Sequence, residues 1–266
     1  MLTLPHPACR ALRRASRLAP RLAALGLLAA ALTGCQSIAG AGATTQVRVI
    51  DVSPDAPALD IVPTSPTQPA PALYNVGFGA VSSYMQLAPG NYTHSAYVAG
   101  TQQQIAQVRS SFAPGAQYTV LAGNISAGLE MTVLRDQSFA APPGLVSLRF
   151  LGQSTRTAAV DLYLVPAGAL LCSGLAPAAA NLSFGSNTGY RNLPAGAYSL
   201  VALPAGASPA DATPIFTGSQ AVYLAGSART ILLIDSSGGG VSADAGSPTT
   251  PALQIITAAD YDAPAS

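Results

Sequence analysis

The sequence predicts an all-β fold, with two tandem immunoglobulin-like β-sandwich units carried behind an N-terminal leader and a flexible tether. Three observations point to it. The 266 residues include 25 Gly and 22 Pro, both of which disfavour helix interiors. Short apolar or alternating runs recur between turn signals roughly every 8–12 residues, the spacing of a sandwich. The chain is also similar to itself at long range, which marks a duplicated unit.

The leader comes first. Residues 1–21 carry Arg10, Arg13, Arg14, Arg17 and Arg21 and no acidic side chain, and Leu22 to Leu32 is a continuous apolar run. Eleven residues are too few to span a hydrocarbon core of about 30 Å as a helix. A basic region, a short apolar region and small residues before a cleavage point describe a secretory signal peptide. Leu32-Thr33-Gly34-Cys35 closely resembles the bacterial lipobox. That resemblance implies cleavage between Gly34 and Cys35, diacylglyceryl attachment to the Cys35 thiol and acylation of the new terminus. Two or three chains anchor firmly where one holds marginally. Residues 1–34 are therefore read as a lipoprotein signal peptide, and Cys35 as the membrane anchor. Gln36 follows where an Asp tends to retain lipoproteins at the inner membrane, so in a cell with two membranes the expected address is the outer one.

Residues 35–45 form the tether. Gln36 to Thr45 is small, uncharged and Gly-containing, with a root-mean-square reach of roughly 15–20 Å. The first unit is expected over residues 46–140, with strands at Val81 to Leu87, Asn91 to Ala99 and Gln117 to Ala122, and a first strand around Val47 to Val52 that is apolar on much of both faces. The second is expected over 145–262. Arg48 matches Arg149, Asp60 matches Asp161, and Phe78-Gly79 matches Phe184-Gly185. Tyr84 matches Tyr190, Tyr92 matches Tyr198, and Thr119-Val120-Leu121 matches Thr230-Ile231-Leu232. The offset grows from 101 to 111, as it does when insertions collect in loops. Asp235 to Pro251 has little apolar material to bury, Val241 and two alanines apart, and reads as a mobile loop.

Charge excludes one class of partner. Every one of the 12 basic residues is Arg, and seven remain after Cys35 against all 11 acidic residues. The mature part is thinly negative and carries no basic run, so nucleic acid lacks its electrostatic footprint.

The side chains that carry chemistry are scarce. His94 is the single histidine after the leader; it aligns with Leu200 and reads as a core imidazole, not a base or a metal ligand. Cys172, in Leu170-Leu171-Cys172-Ser173, has no basic neighbour to lower its pKa and reads as buried filler. No Gly-x-Ser-x-Gly elbow is present. Asp51, Asp55 and Asp60 lie within ten residues and are weak calcium candidates, since Ca²⁺ takes six to eight oxygens. The plainer reading has Asp55 bonding backbone amides in a Pro-rich turn and Asp60 opening a strand. The recurring tyrosines suit a packing role.

Val49-Ile50-Asp51-Val52-Ser53-Pro54-Asp55-Ala56-Pro57-Ala58-Leu59-Asp60-Ile61, with Asn75-Val76-Gly77-Phe78-Gly79 and Leu87-Ala88-Pro89-Gly90-Asn91-Tyr92, resembles the bacterial cell-envelope domain-of-unknown-function family four-three-nine-seven. The second unit keeps only Asp161 of the Ser-Pro-Asp-Ala-Pro-x-x-Asp signature. The resemblance implies a β-sandwich and residence in the periplasm or at the cell surface, and no activity. The combined expectation is a lipid-anchored envelope protein, without catalysis or cofactor, that acts in binding, adhesion or envelope organisation. Its partners would be the membrane, through Cys35, and an envelope protein or glycan. Two alternatives stay open: an envelope hydrolase whose carboxylate site lies between the units and uses Asp55 or Asp161, and a calcium-stabilised scaffold.

Overall fold

The first strand explains much of the architecture. β1 (Thr45–Asp51) is buried along nearly its whole length, because its two faces serve two cores. Val47 and Val49 point into a core with Leu59, Ile61, Tyr92 and Val120, while Ile50 and the following Val52 point the other way, toward Leu151, Leu232 and Ile234. In this computed structural model, residues 43–236 and 253–263 are described. Gly34, Cys35, the tether up to residue 42 and all but the first two residues of the expected mobile loop lie outside them.

The protein is all-β, with four sheets. In the first repeat, β4 (Met85–Leu87), β1, β7 (Gln117–Gly123) and β8 (Glu130–Asp136) form one sheet in that order. β3 (Leu73–Val76), β2 (Leu59–Thr64), β5 (Gly90–Val98) and β6 (Gln104–Phe112) form the other. The second repeat repeats the plan. One sheet runs β12 (Asn187–Pro194), β9 (Leu145–Gly152), β16 (Ala228–Asp235), β17 (Leu253–Tyr261). The other runs β11 (Ala179–Leu182), β10 (Val160–Pro166), β13 (Gly196–Pro204), β14 (Phe216–Thr217), with β15 (Ala221–Tyr223) also on β13. β1 pairs parallel with β7, and β9 parallel with β16; the other pairings are antiparallel. Among the described residues the one helical segment is a single 3₁₀ turn, Ser126–Gly128. The expected strand at Val81 to Leu87 is shorter: Val81 makes an isolated bridge to Ile50, and regular pairing begins at Met85.

Each repeat has its own core between its two sheets, and a third cluster joins the repeats. In that joint Ile50, Val52 and Leu121 meet Leu151, Leu232, Ile234 and Ala258. Side chains of this size contribute roughly 1.5–3 kcal/mol each when fully buried.

At the joint the repeats exchange side chains. Arg48 donates from Nη2 to Asp260 and from Nη1 to the Ala259 carbonyl at 2.7 Å. Arg149 donates from Nη2 to Asp136 at 2.6 Å and from Nη1 to the Arg135 carbonyl at 3.0 Å. Each guanidinium also bonds a threonine of its own repeat, Thr119 or Thr230, and lies 4.7 Å from the ring centre of Tyr84 or Tyr190. Those tyrosines donate to Asp136 at 2.7 Å and Asp260 at 2.8 Å. Burial, reinforced by the Asp136 carboxylate, pushes the Tyr84 phenol above its usual range, so it stays a donor.

Candidate ligand-binding face

Alternation along β5 decides which side chains reach solvent. Tyr92, His94 and Ala96 point inward; Asn91, Thr93 and Tyr97 point outward beside a nearly covered Ser95. Leu59 and Ile61 on β2 are buried, leaving Asp60, Val62 and Thr64 on the outer face. The register then sets rows across the sheet: Asp60, Tyr97, Gln104; Val62, Ser95, Gln107; Thr64, Thr93, Arg109. Tyr74, on edge strand β3, is 72% exposed. A groove of about 540 Å³ runs between Tyr74, Tyr97, Thr101, Gln102 and Gln104 over Asp60 and Val62. A second hollow on this face, of about 330 Å³, is bordered by Thr64, Asn91, Thr93 and Arg109.

Asp60 is the hinge pin of the groove. Its Oδ1 accepts from the Asn75 amide and its Oδ2 from the Gly100 amide, both at 2.9 Å. It thereby ties the residue after Tyr74 to the turn that follows Tyr97. Both partners have positive φ, 55° at Asn75 and 72° at Gly100, a region that Asn and Gly tolerate best. The second repeat copies the device: Asp161 accepts from Asn181 at 2.7 Å and Gly206 at 2.8 Å.

The outer faces above these devices differ. Where β2 and β5 present Val62, Thr64, Ser95 and Tyr97, the matching positions of β10 and β13 hold Tyr163, Val165, Val201 and Leu203. Those four are buried under Leu171, Leu175, Ala207 and Ala212. The second repeat has closed this face with loops; the first leaves it open, polar and furnished with two tyrosines.

The remaining candidates lie apart from it. Asp51 is fully buried; Oδ1 accepts from the Ser53 amide at 3.0 Å, and Oδ2 has no protein partner. Burial pushes its carboxyl up to about 6, against the pull of that amide bond. Asp55 accepts from the Ser126 amide at 2.7 Å. The three aspartates are thus engaged separately, and among the described residues no three His, Cys, Asp or Glu side chains gather around a common point for a metal ion. Asp161 holds backbone amides, as above. His94 is fully buried between Tyr92 and Phe112, with both ring nitrogens unpartnered, and burial lowers it to about 4. Cys172 departs from expectation: it is exposed, not buried. Its apolar neighbourhood misleads because Leu170 is itself 86% exposed on a loop. The expected packing tyrosines do pack: Tyr84 and Tyr190 cover the joint, and Tyr92 and Tyr198 donate to the carbonyls of Ala88 and Pro194. Tyr74 and Tyr97, the aromatics of the groove, escape a reading based on repetition. They stand where the second repeat has Ala180 and Leu203, and that mismatch is the signal that finds them.

Residues 45–163 match the family model described as Domain of unknown function (DUF4397). The match covers the first repeat, β9 of the second and β10 as far as Tyr163. No curated protein matches the chain. Among solved structures, a leucine-rich repeat protein from Bacteroides thetaiotaomicron aligns at 14% identity and a TM-score of 0.18, over 71% of this chain and 25% of that one. This chain therefore spans a quarter of that protein's length. A family 26 carbohydrate-binding module of Eubacterium rectale Amy13K, in complex with maltoheptaose, aligns at 11% identity and a TM-score of 0.23, over 82% of this chain and 98% of that one. At such scores neither likeness bears on fold or ligand.

Proposed function

We propose that this protein is a non-enzymatic binding module of the bacterial envelope, tethered through a lipid on Cys35, whose ligand lies across the outer face of β3-β2-β5-β6. The observation that carries the reading is the contrast between the two repeats: one covers this face with apolar loops, the other keeps it open around Tyr74 and Tyr97. The groove suits an uncharged, hydroxyl-rich ligand such as an envelope glycan. The oxygens of Asp60 are held by backbone amides, Gln102 and Gln104 bring amides that both donate and accept, and tyrosine rings combine an apolar face with a polar tip.

Binding of the full chain to purified envelope polysaccharides, with Tyr74→Ala and Tyr97→Ala as controls, tests the site. Each substitution is expected to weaken binding about tenfold, near 1.4 kcal/mol; unchanged affinity in both would defeat the assignment. Metabolic labelling with radioactive palmitate tests the anchor: label should enter the wild type and be lost in Cys35→Ala.

A further inference from the structure

The joint between the repeats is symmetric in its charges and asymmetric beside them. Counting along the strands from the paired Arg, Thr, Tyr and Asp residues, Val52 corresponds to Gln153, Ile234 to Gly123, Ile256 to Thr132 and Phe78 to Phe184. On one side Val52, Ile234, Ile256 and Phe78 fill the joint with apolar side chains. On the other side Gly, Gln and Thr take the places of Ile, Val and Ile, and Phe184 stands 40% exposed. The result is a cleft of about 90 Å³, the space of roughly three water molecules at ~30 Å³ each.

Its lining is specific. Leu121, Leu134 and Leu151 make an apolar floor, and Thr132, Gln153 and Asn187 add polar groups. Gln153 is 8% exposed, yet its side-chain amide makes no hydrogen bond to the protein among the described residues. It folds over Gly123, where a Cβ would stand 2.8 Å from its Oε1. The Gln153 side chain borders the cleft, so its amide is open to a group bound there. Glu130 is the one charged residue of the lining, and its carboxylate forms no ion pair among the described residues.

We propose that this cleft is a binding site for a small primary ammonium group. The Glu130 carboxylate supplies the countercharge, and Gln153 and Thr132 supply acceptor oxygens. The leucine floor takes the alkyl stem, and the Phe184 ring at the rim offers a face that attracts cations. An anion meets only repulsion from Glu130, and the volume admits a group of a few heavy atoms, not a sugar ring. This site is independent of the tyrosine groove.

The test is titration of the ¹⁵N-labelled full chain in detergent micelles with n-butylammonium, using n-butanol as the uncharged control, followed by amide shifts. Saturable shifts at Gly123, Thr132 and Gln153 are expected, with butanol at least tenfold weaker. Glu130→Gln, at an exposed position, should weaken ammonium binding tenfold or more. Gly123→Ile, whose Cβ would meet Gln153 Oε1 at 2.8 Å and Val52 at 3.3 Å, should abolish it by filling the cleft, in a variant whose amide spectrum shows it folded. Absence of saturable shifts, equal binding of butanol, or full affinity in Glu130→Gln overturns the proposal.

Discussion

Arg48 and Arg149 hold equivalent places in the two repeats, and each is paired with the carboxylate of the other repeat, Asp260 and Asp136. All four side chains are essentially buried, and the set is neutral. Buried pairs of this kind add little net stability, because desolvation offsets the attraction. The apolar contact of Ile50, Val52, Leu121, Leu151, Leu232 and Ile234 drives the joint. The charges determine how it closes, since a joint rotated or shifted from this register would bury a guanidinium without its carboxylate.

The first prediction follows from that asymmetry between making and breaking a buried pair. Arg149→Ala leaves Asp136 buried without its guanidinium and should cost about 3–5 kcal/mol of unfolding free energy, measured by urea titration. The apolar double replacement Arg149→Met with Asp136→Leu should recover only part of that loss, because the Tyr84 and Thr119 hydroxyls then lose their shared acceptor. If the single variant unfolds at the wild-type urea midpoint, the pair does not hold the joint.

How far this was legible in the sequence can be judged from β1. Its apolar residues on both faces indicate a strand buried on two sides, and the repeat pairs Arg48 with Arg149 and Tyr84 with Tyr190. What could not be read is that these residues meet across the joint. Asp136 and Asp260 are offset by 124 positions, not 101 to 111, because the segment between β16 and β17 is longer than its counterpart between β7 and β8. The carboxylates therefore fall out of the alignment that reveals their partners. The strand positions of the groove were equally accessible from alternation, but its openness was not. Whether the loops after β10 and β13 cover a face depends on tertiary packing, and the same ignorance misplaced Cys172.

His94 gives the second prediction. Its folded-state pKa, about 4, lies below the ordinary 6.5, so folding favours the neutral ring. Its contribution is fully present above pH 6.5 and is lost as pH falls toward 4, where the unfolded chain takes up the proton first. The size is about 3 kcal/mol across that window. His94→Leu, which installs the residue of the second repeat, removes two unpartnered ring nitrogens and this dependence. The variant should be more stable than wild type at pH 7, and the gap should widen by pH 4.5. Calorimetry at the two pH values checks both statements; a destabilised variant at pH 4.5 would contradict them.

Asp51 works in the opposite sense. Its carboxyl is raised to about 6 from 3.8, so the folded state favours the protonated form. The associated stability is fully present below about pH 3.8 and is lost as pH rises through 6, a change of about 3 kcal/mol. Asp51→Asn keeps an oxygen for the Ser53 amide and cannot ionise. Its unfolding free energy should exceed that of wild type at pH 8 and converge with it near pH 4. Equal stability at both pH values would show that Asp51 is not held in a desolvated site.

The last prediction separates structure from function by using the duplicated aspartates. Asp60 and Asp161 each accept two backbone amides, one from Asn75 or Asn181 and one from Gly100 or Gly206. Charge-assisted bonds of this kind contribute about 1.5–3 kcal/mol each before solvent exposure weakens them. Asp60→Ala and Asp161→Ala should therefore destabilise the protein by comparable amounts, about 2–3 kcal/mol, in urea titration. Ligand affinity should respond to one and not the other. Asp60 joins the residue after Tyr74 to the turn after Tyr97, so its loss frees both rings of the open groove. Asp161 stands beneath the covered face, where the matching positions are Ala180 and Leu203. A binding loss in Asp60→Ala with full binding in Asp161→Ala, both assayed well below their unfolding midpoints, places recognition on the first repeat. Equal loss in both variants would mean that binding only reports stability.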